Sequence, residues 1–230
     1  MTVFNRVKEN IDTINHRIKH MLDESKSDQN VDIVAVTKYA TNEETQAILN
    51  CGIRQLGENK IQVAEQKIGY FGCEDIVWHL IGHLQTNKVK KAVQLFDCIQ
   101  SVDSLRVLKK IDAECLAIGK VMPIFIQINM VQDPNKYGFS QEELVENLKE
   151  IKCFRNVIIK GIMIMGPNVE DPKLIEICFR ESAKLFEVLQ KEIHTLSQLS
   201  MGMSQDFELA VKCGSTMLRL GSSLYKQKIS

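Results

Sequence analysis

Lys38 follows the apolar, largely β-branched run Ile33-Val34-Ala35-Val36-Thr37, where a solvated ammonium is not expected. A lysine with its stem among apolar residues loses proton affinity and becomes an amine nucleophile for a carbonyl. A lysine that merely snorkels from a strand terminus does not, and both readings stay open. Two further segments could hold an anion. In Met201-Gly202-Met203-Ser204-Gln205-Asp206-Phe207-Glu208, a strand end, turn and helix start, Ser204 can cap the helix or donate its hydroxyl to an anion at the helix N-terminus. In Gly214-Ser215-Thr216-x-x-Arg219-x-Gly221-Ser222, Gly221 lets backbone N–H groups approach an anion closely. Ordinary capping plus a turn accounts for the same residues. His79 and His83 are four apart; without His-Glu-x-x-His or a third ligand they read as core or pocket histidines. Lys88, Lys90 and Lys91 read as a solvated helical face, since no aromatic platform accompanies them.

Elements must position these groups. Phe4, Val7, Ile11, Ile14, Ile18 and Met21 recur at spacings of three and four, one apolar stripe on a leading helix. The remainder alternates short strand candidates with amphipathic stretches. The strands are expected at Asp32–Thr37, Ile53–Leu56, Val77–Ile81, Cys98–Ser101, Ile124–Asn129, Ile158–Met163, Leu196–Ser200 and Met217–Leu220. Thr41-x-x-Glu44 and Ser140-x-x-Glu143 have capping-box spacing. Asp171-Pro172 predicts an N-cap with proline at the first helical position, and Gly52, Gly119 and Gly214 stand where a left-handed C′ residue is wanted. This count predicts an α/β fold, a (β/α)8 TIM barrel with an extra N-terminal helix on the outer ring. No two glycines are two apart, so G-x-G-x-x-G is missing. Gly52-x4-Gly57 and Gly161-x4-Gly166 lack the following Lys-Ser/Thr of a phosphate loop and are expected to be structural turns. In a barrel, chemistry collects at the C-terminal strand ends, and the loops after strands seven and eight commonly cradle phosphate. Those ends read Lys38, Glu58-Asn59, His83, Ser101, Asn129, Met165-Gly166, Ser204, Arg219 and Gly221-Ser222.

The chain has 230 residues, 44% hydrophobic and 25% charged, with 29 basic and 29 acidic side chains and zero formal charge. That excludes a disordered tail, a collagen-like fibre and a membrane bundle, and offers no basic excess for nucleic acid. With 4 Pro and 12 Gly there is no long flexible linker, so residues 1–230 are expected to form a single domain. Seven cysteines, at 51, 73, 98, 115, 153, 178 and 213, contain no C-x-x-C pair and read as reduced, mostly buried thiols. The N-terminus lacks an apolar signal-peptide core. The run Val121–Val131 is too short to cross a bilayer. A cytoplasmic monomer is expected.

Together these pieces resemble the pyridoxal phosphate homeostasis proteins (the YggS/PROSC family), which look like the alanine racemase N-terminal barrel without its second domain. The resemblance rests on Ala35-Val36-Thr37-Lys38, Gly57-Glu58-Asn59, Trp78-His79-Leu80-Ile81-Gly82-His83-Leu84-Gln85-x-Asn87-Lys88, Met201-Gly202-Met203-Ser204-x-Asp206-Phe207 and Gly214-Ser215-Thr216-x-x-Arg219-x-Gly221. It runs from about Val31 to Tyr225. It implies that Lys38 carries pyridoxal 5′-phosphate (PLP) as a Schiff base and that Asn59 lines the ring pocket. Ser204 and the backbone of Gly221-Ser222 would hold the phosphate, and Arg219 would face the pyridine nitrogen. Ser222 stands where threonine is common, which keeps a hydroxyl. Tyr225-Lys226 replaces a frequent Phe-Gly, a change expected to touch only the chain end. The implied function is intracellular PLP homeostasis, with supply to apo PLP-dependent enzymes and no robust catalysis. The alternatives are a small PLP-dependent amino-acid racemase and a barrel for another phosphorylated metabolite. Racemisation needs an acid/base on each face of the substrate carbon; Lys38 supplies one, and no second stands out.

Overall fold

The computed structural model describes residues 1–72, 74–131, 133, 136–167, 169 and 171–227; Cys73 lies outside them. The β-branched runs form strands β1 (Asp32–Val36), β2 (Gln55–Glu58), β3 (Val77–Leu80), β4 (Cys98–Val102), β5 (Met122–Ile128), β6 (Val157–Ile164), β7 (Gln198–Ser200) and β8 (Met217–Leu220). All pair in parallel and in sequence order, and β8 pairs with β1 to close the barrel. The amphipathic stretches form α1 (Val3–Ser25), α2 (Asn42–Asn50), α3 (Ile61–Phe71), α4 (Val89–Leu95, after a 3-10 turn at Thr86–Lys88), α5 (Leu105–Ile118), α6 (Gln141–Ile151), α7 (Pro172–Glu192), α8 (Phe207–Lys212) and α9 (Ser222–Tyr225). The barrel with a leading helix is therefore as expected. No helix among the described residues is long and apolar enough to cross a membrane.

The local signals act as their chemistry demands. Both capping boxes form, Asp171 caps α7 ahead of Pro172, and Gly52, Gly119 and Gly214 take positive φ. The apolar stripe of α1 buries Val7, Ile11, Ile14 and Ile18, while Phe4 stays exposed. This helix packs against α2, α8 and α9 and so fills the outer ring across the β8–β1 seam. Asn10, on the same face, is buried and donates through Nδ2 to Leu224 O (3.2 Å) and Lys226 O (3.0 Å).

Strand ends differ from the expectation in instructive places. β5 begins at Met122, not Ile124, because Pro123 lacks only an N–H, and Met122 N still donates to Asn156 O (3.0 Å). β2 runs from Gln55 to Glu58, two residues later than the apolar run, because the Glu58 carboxylate is paired inside the protein. Gly57 and Gly161 consequently lie inside β2 and β6 and are not turns. A Cβ at Gly161 would fall 2.4 Å from the Phe125 ring, so the missing side chain makes room for Phe125 in the barrel interior. Val34, Cys98, Phe125, Met163 and Met217 form that interior's apolar part.

Candidate functional site at the carboxyl end of the barrel

The expected site residues converge. Lys38, Asn59, Ser204, Arg219, Gly221 and Ser222 all line one cavity of about 390 Å³ at the C-terminal strand ends. Val36, Ile81 and Met165 supply apolar wall. A cleft with apolar walls and a few convergent polar groups is the usual form of a small-molecule site.

Lys38 lies two residues past the end of β1, in the inward parity of Val34 and Val36. Of the two readings of its stem, the snorkelling one holds and the embedded one does not. Lys38 is exposed, with Nζ 5.2 Å from the centroid of the Tyr39 ring, because the strand ends before it. Asn59 follows β2 and is seated by Gly82, where a Cβ would fall 2.2 Å from Asn59 O. That close approach accounts for the glycine before His83.

Ser204 does not cap α8, whose first residue follows Asp206. Its hydroxyl oxygen instead lies at the start of α9, accepting from Gly221 N (3.2 Å), Ser223 N (3.4 Å) and Ser223 Oγ (2.9 Å). These donors point at one oxygen position, the arrangement an anion needs. Ser223 is a member of the site that sequence reasoning missed. Gly202 builds the preceding turn: it has φ +93°, and a Cβ there would fall 2.5 Å from Ala210 Cβ and 2.9 Å from Leu218 Cδ2.

Arg219 projects from β8 and is 4% exposed. Nη1 donates to Ser200 O and Oγ, both at 2.8 Å, and Nη2 to Ile164 O at 2.8 Å. Burial pulls its pKa down to about 10, opposed by the Asp206 carboxylate, so it remains a cation at neutral pH. Ser200 Oγ donates to Gln100 Oε1 (2.8 Å), and Gln100 Nε2 donates to His79 Nδ1 (3.0 Å). The chain of bonds thus ends on an imidazole accepting through Nδ1.

His79 is accordingly a core residue, held neutral by burial at a pKa of about 4. In the unfolded chain a histidine titrates near 6.5. Between those values only the unfolded state takes the proton, so stability falls as pH drops from 6.5 towards 4, by up to about 3 kcal/mol. Denaturant titrations from pH 7 to 4 should show this slope. It should be reduced in His79→Gln, which keeps an acceptor for Gln100. Equal slopes in both proteins would count against the assignment.

His83 instead sits at the rim. Nδ1 contacts Asp103 Oδ2 (2.7 Å), and the ring stacks on Tyr137 with centroids 3.6 Å apart. Neither partner was evident from sequence. The other strand-end residues brace the rim: Ser101 Oγ donates to Gly82 O (2.6 Å), and Asn129 Nδ2 donates to Asp133 O (2.8 Å) and Lys136 O (3.2 Å). Gly166 O accepts from Lys136 Nζ (2.9 Å). Lys88, Lys90 and Lys91 are exposed, as expected. Tyr225 corrects an expectation: it does not merely touch the chain end but lines the cavity, 3% exposed, with its phenol pKa raised by burial. Of the cysteines, 98, 115, 178 and 213 are buried, but Cys153 is exposed. Among the described residues no cluster of His, Cys, Asp and Glu could hold a metal ion.

A closed parallel barrel with a lysine, an arginine and an anion-shaped donor cluster at its carboxyl end defines a class of small-molecule-binding barrels. The family model described as alanine racemase, N-terminal domain, matches residues 10–228. Curated relatives named pyridoxal phosphate homeostasis protein include one from Helicobacter pylori (strain ATCC 700392 / 26695), 38% identical over 199 residues, 86% of this chain and 88% of that protein. Another, from Synechocystis sp. (strain ATCC 27184 / PCC 6803 / Kazusa), is 36% identical over 201 residues, 86% of this chain and 92% of that protein. The chain belongs to the pyridoxal phosphate homeostasis protein family. Among solved structures, PipY of Synechococcus elongatus PCC7942 with PLP bound superposes with a TM-score of 0.83 at 29% identity, covering 95% of this chain and 99% of that one. Alanine racemase from Clostridium difficile 630 shares the fold, with a TM-score of 0.76 at 14% identity, covering 98% of this chain and 57% of the racemase.

Proposed function

We propose that this protein binds PLP in the cavity, covalently through a Schiff base on Lys38, and supplies it to other proteins without robust catalysis of its own. The observation that carries the reading is the convergence of Lys38, Arg219 and the donors around Ser204 on one cavity. The PLP-bound PipY structure supports the same cofactor. The residues fit the group. Ser204, Ser222 and the backbone N–H groups from Gly221 onward would offer donors to the phosphate, Asn59 would border the ring, and Arg219 would serve the pyridine nitrogen. PLP supplies a reactive aldehyde and an electron-accepting ring. Arg219 sets how that ring behaves. A guanidinium only donates hydrogen bonds, so it favours an unprotonated ring nitrogen and a weaker electron sink, suited to holding and releasing the cofactor more than to amino-acid turnover. The protein acts as a cytoplasmic monomer, with amino acids and apo PLP-dependent enzymes as its partners.

The purified protein loaded with PLP should be yellow, and borohydride reduction should place the adduct on Lys38. Incubation with L- and D-amino acids in deuterated solvent tests the lack of turnover. Exchange at the α-carbon at ordinary enzyme rates, about 1–10³ per second, would establish a racemase instead. Ser204→Ala should weaken PLP binding by about 1–3 kcal/mol, the scale for a hydrogen bond to a charged group. Pyridoxal, lacking the phosphate, should bind far less tightly than PLP in equilibrium titration. Equal affinities would remove the Ser204 loop from the site.

A further inference from the structure

The outward-facing neighbours of the cavity residues form a buried ionic cluster. Strand parity sends Val36 and Lys38 towards the cavity and Thr37 the opposite way, towards α3. There Thr37 Oγ1 donates to Glu58 Oε1 (2.6 Å), and Lys67 Nζ of α3 pairs with the same oxygen (3.1 Å). Glu58 is fully buried and Lys67 is 7% exposed. Lys67 Nζ also donates to Thr37 O and to Ala40 O (3.3 Å), the carbonyls on either side of Lys38-Tyr39. Ala40 N closes the same turn onto Thr37 O (2.9 Å). Glu58 itself directly precedes Asn59.

We infer that the Lys67–Glu58 pair is a positioning device for Lys38, clamping the turn that carries the reactive amine from behind while touching nothing in the cavity. A buried ion pair is a poor way to gain stability, since apolar residues of similar volume commonly do as well or better. What this pair does that apolar residues cannot is hold two specified carbonyls, those that fix the path of the backbone through Lys38. Lys38 is otherwise exposed and extends beyond its strand, so its amine has little else to aim it. The placement rests on the reading of Lys38 as the Schiff-base lysine.

The test compares two ligands in Lys67→Met/Glu58→Gln, which removes both charges and keeps an acceptor for Thr37. Capture of PLP, followed by the growth of Schiff-base absorbance, should slow about 10- to 100-fold, the scale for misplacing a reacting group. Affinity for pyridoxamine 5′-phosphate, which has the ring and phosphate but no aldehyde, should match that of the wild type. Parallel losses for both ligands would show a merely structural role and overturn the inference, as would unchanged capture. If the double variant does not fold, Lys67→Arg carries the test with the same two readouts, because it keeps the charge and changes the reach to the carbonyls. Borohydride labelling of wild-type protein separates the failures. Absence of label on Lys38 sinks the reading of the site, whereas label on Lys38 with normal capture in the variants sinks only the clamp.

Discussion

Lys38→Ala should abolish borohydride-trappable PLP and leave the thermal unfolding of the protein unchanged within a few degrees. The loss should be complete because the other described amines nearby belong to different elements and Lys67 is already committed. Lys67 faces away from the cavity and is engaged by Glu58 and two backbone carbonyls. Lys226, which also borders the cavity, is carried by the end of α9 and not by the turn after β1. The fold is spared because Lys38 is exposed and makes no hydrogen bond among the described residues, only its approach to the Tyr39 ring. An exposed cation–π contact contributes about 0.5–1 kcal/mol at most. Mass spectrometry of the reduced adduct and a melting curve check both halves. A full-strength adduct on another lysine in the variant would reassign the site.

Gly202→Ala should destabilise the protein by about 3–5 kcal/mol, an unusually large penalty for one methyl group. Two independent costs add. The residue has φ +93°, a region that side-chain-bearing residues rarely enter, and its new Cβ would meet Ala210 Cβ at 2.5 Å and Leu218 Cδ2 at 2.9 Å. The turn cannot relax without moving Ser204 away from the α9 amide groups, so PLP retention should fall along with stability. Gly69→Ala makes the contrast. That glycine sits within α3 with nothing inside 4 Å of its Cβ position, so alanine should stabilise by about 0.5–1 kcal/mol. Denaturant midpoints of the two variants should therefore move in opposite directions.

The barrel was legible because eight β-branched runs alternate with amphipathic stretches, and because caps such as Thr41, Ser140 and Asp171 act within a few residues of themselves. The polar residues at the strand ends were legible for the same reason: a charged or hydroxyl side chain just past an apolar strand has few places to go except the mouth. What stayed illegible depends on contacts between elements. Asp103 reaches His83 across the ends of two strands, and Lys67 reaches Glu58 across a helix–strand boundary. Tyr225 lines the cavity and Ser223 bonds to Ser204 only because α9 follows β8 directly, which neither residue type announces. The choice between an embedded and a snorkelling Lys38 turned on a smaller scale, since the strand stops two residues before it and the apolar surroundings stop with it.

The seam closed by α1 has a temporal consequence. The helix is synthesised well ahead of the carbonyls that satisfy Asn10, which belong to Leu224 and Lys226, more than 200 positions later. At about 5–20 residues per second, translation holds them apart for on the order of 10–40 seconds. During that interval α1 can pack on α2, but the part of its face that meets α8 and α9 has no native partner. Barrel closure, α1 docking and completion of the wall formed by α9 then become one late event, so the nascent chain should gain the capacity to hold PLP abruptly and not by degrees.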